Sequence, residues 1–262
     1  MDSAVTRFSS VTGHHWPAVR YFTTTRHGGF SQGEWSGLNL AMHCHDDPHH
    51  VARNRALLTS VVPAQPVWLN QVHGTTVFNA DSTSSLVCSD QGQVPQADAA
   101  ITTVAGRVLA VLTADCLPVV IADTRARVLG VAHAGWRGLA GGVLENTLAA
   151  MRHAVPEADA WQAWVGPGIS QPQFQVGAEV MLAFTDQDPG CASFFRPDSI
   201  PGKWRANLAG LAVRRLSRAG VTRVEACPDC TFALPDRYYS YRRQGQTGRM
   251  ATVAWLEPRG LT

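Results

Sequence analysis

The sequence carries few charged residues and no excess of either sign. Charged side chains make up 16% of its 262 residues, with 22 basic residues against 20 acidic ones. Proteins that bind DNA or RNA usually carry a strong basic excess, which this chain lacks. It also lacks any run of about 18 apolar residues, the length that a membrane-spanning helix requires. We therefore expect neither a nucleic acid nor a membrane as a partner.

Cysteine is scarce as well. The six cysteines are too few and too widely spaced for a disulfide framework in a chain of this length. Residues 1–19 contain no apolar stretch of the kind that forms the centre of a secretory signal. Both absences favour a reduced, cytoplasmic protein.

Apolar residues are plentiful, at 45%, and they alternate between strand-like runs and helical periods. With no repeat and no linker visible, the pattern predicts one α/β domain with mixed strands over residues 20–262, after a loose lead-in over residues 1–19. Strands are predicted at 19–25, 63–69, 107–112, 118–122, 128–132, 161–165 and 221–226, with a closing strand pair at 238–241 and 250–256. Helices are predicted at 49–61, 143–153, 176–184 and 208–219, and loops at 79–97, 134–142 and 185–203.

Three short segments carry residues suited to chemistry, namely Asn-Gln-Val-His-Gly at 70–74, Thr-Ala-Asp-Cys-Leu-Pro at 113–118 and His-Ala-Gly-Trp-Arg-Gly at 133–138. The three segments contain His73, Cys116 and His133 respectively, and each of these residues lies at the edge of an apolar run. Two histidines and one cysteine can hold a zinc ion and leave its fourth tetrahedral position open, as catalytic zinc sites do. Each residue also has a plainer interpretation: Cys116 as a buried structural thiol, His133 as a core histidine and His73 as part of a surface loop.

The residues around these segments favour a cleft. Asp115 and Pro118 flank Cys116 at a strand break, where side chains turn toward a cleft. The glycine-rich segment after His133 leads into a helix, and helix N-termini bind anions. Arg137 adds a bidentate donor suited to phosphate or carboxylate.

Two other groupings resemble metal sites but carry less weight. His43, Cys44 and His45, with His49 and His50 close by, precede a predicted helix where capping residues belong, so we interpret them as a solvated loop. Cys227 and Cys230 form a single CxxC pair, which is only half of a zinc site.

In this order the three segments resemble the YfiH/YlmD family, once called the multicopper polyphenol oxidase or laccase-domain family. Further matching motifs occur in family order at 25–29, 37–40, 54–55, 97–98, 165–169, 176–177, 239–243 and 247–251. The likeness covers about residues 20–256. Two departures are Gln175, where the family usually has an acidic residue, and Asn207, where it often has aspartate.

The resemblance implies a layered α/β sandwich with one active site in a cleft and with His73, Cys116 and His133 as zinc ligands. It implies phosphorolysis of adenosine, inosine or methylthioadenosine to the base and ribose 1-phosphate, and hydrolytic deamination of adenosine. A bacterial branch resembles a peptidoglycan editing factor that removes misincorporated serine, and copper oxidase activity is attributed to some members.

Our lead hypothesis is a zinc-dependent purine nucleoside enzyme, with copper as the alternative metal. For phosphorolysis a basic pocket must hold phosphate, and the candidates are Arg26, Arg55, Arg137 and Arg242. Gln71 is a further candidate for substrate binding. Asp115 is expected either to orient a zinc-bound histidine or to act as acid and base. The oligomeric state is left open between monomer and homodimer.

Three other hypotheses remain. Cys116 and His133 could form a metal-free nucleophile and base that cleave an amide in a serine-containing UDP-muramoyl precursor. A copper-dependent polyphenol oxidase needs many paired histidines, and among the 10 histidines only the 43–45 segment shows a His-x-His pair. A metal or nucleotide sensor would bind purine nucleosides without turning them over.

Overall fold

The computed structural model describes residues 8–82 and 94–258. Within these residues the strands form a six-stranded, a four-stranded and a three-stranded sheet. The strands are β1 (Phe8–Val11), β2 (Val19–Gly28), β3 (Val77–Asn79), β4 (Ala99–Thr102), β5 (Leu109–Thr113), β6 (Leu117–Asp123), β7 (Leu129–Ala134), β8 (Trp161–Val165), β9 (Gln175–Gly177), β10 (Phe195–Pro197), β11 (Lys203–Ala206), β12 (Arg223–Ala226) and β13 (Met250–Leu256). The α-helices are α1 (Pro48–Thr59), α2 (Trp136–Gly141), α3 (Val143–Ala154), α4 (Ala178–Thr185), α5 (Leu208–Arg218) and α6 (Tyr241–Gln244). Gly33–Trp35 and Pro189–Phe194 are 3₁₀ turns.

The six-stranded sheet has the order β12-β8-β6-β7-β4-β3 and mixes parallel with antiparallel pairs. The four-stranded sheet, β1-β2-β13-β5, is antiparallel throughout. The small sheet, β10-β11-β9, is also antiparallel.

Strand β6 shows why the two large sheets stack. Because side chains alternate between the faces of a strand, Val120 and Ala122 pack against Val111 of the four-stranded sheet. Val119 and Ile121 point to the opposite face and pack with apolar residues of α3 and α5. A strand covered on both faces is apolar at nearly every position, which explains the continuous apolar run.

Helices cover the outer faces of both large sheets. Helix α5 buries Leu208, Leu211, Ala212 and Leu216, a spacing that forms one apolar stripe. On the other side of the molecule Leu58 of α1 packs with β5 and β13. The predicted layered sandwich of mixed sheets flanked by helices is confirmed.

Several predicted boundaries need correction at the edges of the large sheets. Residues 63–69 form no strand and make only an isolated bridge, from Val67 to Leu109. Residues 238–241 do not pair with β13, which instead lies between β2 and β5. The side chain of Ser240 accepts a hydrogen bond from the Arg243 N–H and so begins helix α6.

The segment from 134 to 203 also differs from the sequence prediction. The glycine-rich loop predicted at 134–142 contains the short helix α2. Val176 belongs to β9, so the predicted helix at 176–184 begins only after Gly177. The predicted loop at 185–203 contains a 3₁₀ turn and strand β10.

The predicted lead-in, the predicted loop at 79–97 and the end of the predicted domain, residues 259–262, fall partly outside the described residues. Residues 1–7 of the expected lead-in and residues 83–93 of the predicted loop lie there, while Phe8–Val11 pair with β2. Among the described residues, no helix has the length and apolar character needed to cross a membrane.

Candidate active site

His73, Cys116 and His133 come together at one end of the six-stranded sheet. His133 lies in β7, and Cys116 lies in the turn that leads into β6. These strands pair so that Pro118 lies opposite His133. The loop before β3 brings in His73, whose Nε2 is 3.8 Å from the Cys116 Sγ. One ligand atom from each of the three residues lies within 4.8 Å of the others.

Asp98 organises two of the three residues. Its buried carboxylate lies 2.8 Å from Nδ1 of His133. It also accepts hydrogen bonds from the backbone N–H groups of Val72, His73 and Gly74, at 3.1, 2.9 and 2.7 Å. When a carboxylate holds an imidazole through Nδ1, the Nε2 atom is left to bind a metal. Carboxylates beside metal-bound histidines commonly have this role.

These hydrogen bonds also explain the backbone at His73. Its φ of 60° lies in the left-handed region, which costs a residue with a side chain about 1–2 kcal/mol. The left-handed turn points three successive N–H groups at Asp98, and those charge-assisted bonds offset the cost.

Gly135 allows the three residues to approach each other. A Cβ atom at this position would lie 2.9 Å from the Cys116 Sγ and 2.9 Å from the His73 ring. One turn later, a Cβ at Gly138 would lie 2.7 Å from the backbone oxygen of Gly74. The glycines of this segment therefore serve close packing of α2 against the loop that carries His73.

The charges in this group are strongly coupled. Burial raises the pKa of the Cys116 thiol, but the His133 and His73 imidazoles outweigh burial and lower it to about 6. Burial lowers the pKa of His133, but Cys116 and Asp98 outweigh burial and raise it to about 9. Without a metal, Cys116 and His133 therefore form a thiolate–imidazolium pair near neutral pH.

The same residues fit a tetrahedral metal ion. Zinc bonds of about 2.0–2.3 Å place neighbouring nitrogen and sulfur ligands roughly 3.5 Å apart, close to the 3.8 Å between His73 and Cys116. The lowered thiol pKa supplies the thiolate that a metal requires. Asp98 holds His133 in the tautomer that ligates through Nε2.

The contacts of Asp115 differ from those expected for a residue that orients a histidine. Its carboxylate accepts hydrogen bonds from the Thr231 hydroxyl at 2.6 Å, the Ser240 hydroxyl at 3.0 Å and the Arg242 N–H at 2.7 Å. It therefore anchors the start of α6, and Asp98 is the carboxylate that orients a histidine.

A cavity of about 400 Å³ opens in front of the three ligand candidates. Its wall combines those residues with arginines and an apolar surface. It is lined by His43, Gln71, His73, Leu112, Thr113, Ala114, Asp115, Cys116, His133, Trp136, Arg137, Ile169, Phe174, Leu208, Tyr241, Arg242 and Arg249.

Only two of the four predicted phosphate-binding arginines line this cavity, Arg137 and Arg242. Arg26 donates to the backbone oxygens of Pro235 and Ser36 and does not line it.

Arg55 also lies away from the cavity and donates to the Leu40 oxygen over the Trp68 ring, where burial lowers its pKa to about 10. Gln71 lines the cavity, but its amide is occupied at both ends by the backbone of Leu112. It therefore joins the His73 loop to β5.

The sequence interpretation missed three residues of the site. Asp98 and Arg249 lie in motifs that carried the family resemblance, but the sequence predicted no chemical role for either residue. His43, interpreted as part of a solvated loop, is exposed and lines the cavity. It was set aside because the segment precedes a helix, where capping residues belong.

The remaining candidate groupings do not assemble. Within residues 8–82 and 94–258, the His73 group is the one cluster of three such side chains able to hold a metal. Cys44 is buried beside α1. Cys227 and Cys230 are free thiols, and the Cys230 sulfur accepts a hydrogen bond from the Ser170 N–H.

Comparison with known proteins agrees with the fold. A protein of Pseudomonas aeruginosa named purine nucleoside phosphorylase PA4543 is 42% identical over 92% of this chain and 96% of its own length. Purine nucleoside phosphorylase YfiH of Escherichia coli is 37% identical over 92% of this chain and 96% of its own. The crystal structure of protein NMB0706 from Neisseria meningitidis superposes with a TM-score of 0.87 at 41% identity, covering 96% of this chain and all of that one.

The family model described as multi-copper polyphenol oxidoreductase laccase matches residues 20–257. That span contains the six-stranded sheet, the four-stranded sheet apart from β1 and Val19, and all three ligand candidates. The chain therefore belongs to this laccase-like family, the one to which YfiH and YlmD belong.

Proposed function

We propose that this protein is a metal-dependent purine nucleoside phosphorylase. The observation that carries the proposal is one cavity in which the His73, Cys116 and His133 group faces Arg137 and Arg242. The names of the Pseudomonas and Escherichia relatives support this reaction class.

The size and lining of the cavity suit a nucleoside. Its volume of about 400 Å³ lies within the roughly 300–1,000 Å³ range of small-molecule sites. Ile169, Phe174 and Leu208 offer an apolar wall for a purine ring. We propose adenosine, inosine and methylthioadenosine as substrates.

The arginines are suited to hold phosphate. The guanidinium of Arg137 lies over the Trp136 ring, and in the described residues it forms no ion pair. Arg242 donates one N–H to the backbone oxygen of Gln175 and keeps its other donors. Guanidinium groups bind phosphate oxygens through paired, charge-assisted hydrogen bonds.

In phosphorolysis a phosphate oxygen bonds to C1′ of the ribose while the bond from C1′ to N9 breaks. The electron pair of that bond goes to the base, which then takes up a proton. Bound zinc would supply a Lewis acid that stabilises developing negative charge. Arg137 and Arg242 orient the phosphate, and Asp98 holds the proton on Nδ1 of His133.

We propose deamination of adenosine as a second reaction of the same cavity, in which a water oxygen bonds to C6 and ammonia leaves.

One observation favours a second candidate function. The thiolate–imidazolium pair of Cys116 and His133 is the arrangement of a cysteine nucleophile and its base. In this hypothesis the thiolate attacks the amide of a serine-containing UDP-muramoyl precursor, and His133 protonates the departing amine. Water then hydrolyses the thioester.

Product analysis by mass spectrometry tests these proposals. Zinc-loaded protein is incubated with adenosine, inosine and methylthioadenosine, with and without phosphate, beside the Cys116→Ala variant. We expect free base and the corresponding ribose 1-phosphate only when phosphate is present, and only with the wild type. Absence of base release from all three nucleosides would overturn the proposal. Cleavage of the muramoyl precursor that resists a chelator would establish the second candidate instead.

A further inference from the structure

A second, smaller cavity of about 220 Å³ adjoins the active-site cavity. The two share Trp136, Arg137, Phe174 and Arg242 as walls. We call the smaller cavity the annex. It is lined by Trp136, Arg137, Phe174, Gln175, Val176, Gly177, Glu179, Val180, Lys203 and Arg242.

The annex carries an excess of positive charge. Arg137, Lys203 and Arg242 face a single acidic side chain, Glu179. In the part of the chain that the structure describes, none of the three cations forms an ion pair with a carboxylate. The carboxylate of Glu179 lies against the backbone of Gly177 at the start of α4. With three cations and one carboxylate in its lining, the annex therefore keeps a net positive charge that an anionic ligand can meet.

The small sheet fixes Lys203 at this place. Lys203 pairs with Gly177, and Trp204 pairs with Val176, across β11 and β9. A turn just before β11 is closed by two backbone hydrogen bonds, from Lys203 to Ile200 and from Asp198 to Lys203. The lysine therefore reaches the annex from a strand whose register is set on both sides.

We propose that the annex binds a phosphate dianion and that Lys203 is a positioning residue for it. Arg137 and Arg242 line both cavities, so an anion held between them lies next to the nucleoside. It does not take the open coordination position of the metal. This inference rests on the proposed phosphorolysis for its purpose, since it identifies the annex as the site of the phosphate co-substrate. The same chemistry would accept the phosphate group of a nucleotide.

The composition of the chain makes Lys203 a selective probe. Of the 22 basic residues one is lysine and 21 are arginine. Reductive methylation with ¹³C-formaldehyde keeps the positive charge of an amine and labels only Lys203 Nζ and the terminal amine. Two methyl signals are therefore expected in the NMR spectrum of the zinc-loaded protein, and the terminal one serves as an internal control.

Titration with inorganic phosphate tests the site without any turnover. We expect the Lys203 signal to shift and saturate while the terminal signal stays in place. Equal and unsaturable shifts of both signals would overturn the proposal. A parallel titration with adenosine 5′-monophosphate separates the two sources of phosphate. A tighter response to the nucleotide than to inorganic phosphate plus adenosine would overturn the assignment to the co-substrate.

Kinetics of charge variants provide the second readout. Lys203→Gln is expected to raise the KM for phosphate about fivefold, as loss of one charge contact does, while the KM for inosine stays unchanged. Lys203→Arg is expected to restore phosphate binding. Arg196→Gln is the matched control, because Arg196 is an exposed cation on the same small sheet and lines neither cavity.

The phosphate site in the annex and the proposed phosphorolysis can be tested independently of each other. Phosphate-dependent base release combined with a Lys203 signal that ignores phosphate would overturn the annex and leave the phosphorolysis standing. A saturable Lys203 response in a protein that releases no base would overturn the phosphorolysis and leave the anion site standing.

Discussion

Because residue 135 is glycine and has no Cβ atom, the three ligand candidates can lie close together. The Cys116 Sγ and the His73 ring both lie 2.9 Å from the position that a Cβ at Gly135 would take. Both are the ends of rotatable side chains, so they can turn away from an added methyl group. A metal ion bound by Cys116 and His73, in contrast, requires both side chains to keep their positions.

We therefore predict that Gly135→Ala removes zinc binding without unfolding the protein. The melting temperature of the metal-free variant should stay close to that of the wild type. Zinc should raise the melting temperature of the wild type, because a ligand that binds only the native state stabilises it, but not that of the variant. Scanning calorimetry with and without zinc measures both, and an undiminished zinc effect in the variant would contradict the ligand assignment.

The thiol pKa leads to a prediction on pH. In the metal-free protein His133 and His73 outweigh burial and lower the pKa of Cys116 to about 6. The thiolate therefore predominates above that pH, and alkylation by iodoacetamide should rise with a midpoint near pH 6 rather than near that of a free thiol. Peptide mapping of the pH series identifies the site, with Cys227 as an internal comparison because burial raises its pKa. A midpoint for Cys116 above that of Cys227 would refute the charged pair.

At the scale of elements, two carboxylates hold different parts of the site. Asp98, just before β4, joins the His73 loop to His133 in β7. Asp115, in the turn between β5 and β6, anchors the start of α6 and with it Arg242. Asp98 therefore supports the ligand candidates, and Asp115 supports the wall of the cavity that carries Arg242.

Substitution of each aspartate by asparagine should separate these roles. Asp98→Asn should weaken zinc affinity by about 10–100-fold, the usual cost of losing a carboxylate behind a metal-bound histidine. Asp115→Asn should leave zinc affinity unchanged and raise the KM for phosphate, since the amide has one oxygen in place of the two that accept from Thr231, Ser240 and the Arg242 backbone. Zinc competition with a chromogenic chelator and phosphate kinetics measure the two effects. The reverse pattern would refute the division of roles.

Elements differ in how far the sequence could predict them. Strands β5 to β8 are covered on both faces, so their apolar runs were visible and their positions were predicted within about two residues. The small sheet was missed because β9 and β10 have three residues each and owe their conformation to pairing with β11. For the same reason no sequence pattern linked Lys203 to the cavity.

The site was predictable to a similar degree. His73, Cys116 and His133 stood out because each follows or precedes an apolar run beside glycine or proline. The role of Asp98 depends on hydrogen bonds to a loop that begins 26 residues earlier, and no local pattern carries that information. Arg26 and Arg55 were expected at the cavity on charge alone, and backbone carbonyls hold them elsewhere.

At the scale of the whole molecule, the described residues pack as one body. Apolar residues of β2, β5 and β13 share a buried cluster with those of β6 and β7, and the opposite face of β6 joins the cluster of α3 and α5. Both large sheets are thus parts of continuous packing, and the site lies where the turn between β5 and β6 passes from one to the other.

We accordingly propose one cooperative domain over residues 20–262. Thermal unfolding should show a single transition in which the calorimetric and van't Hoff enthalpies agree. Differential scanning calorimetry of the zinc-loaded protein measures this. Two resolved transitions would show that the sheets unfold as separate units.

The central claim is that the His73, Cys116 and His133 group carries the phosphorolysis of purine nucleosides. The most direct measurement is base release from inosine in phosphate as zinc is titrated into chelator-stripped protein. We predict that turnover rises in proportion to zinc content and reaches its limit at one ion per chain, with no rise in Cys116→Ala. Full turnover in the stripped protein, or in the variant, would contradict the account.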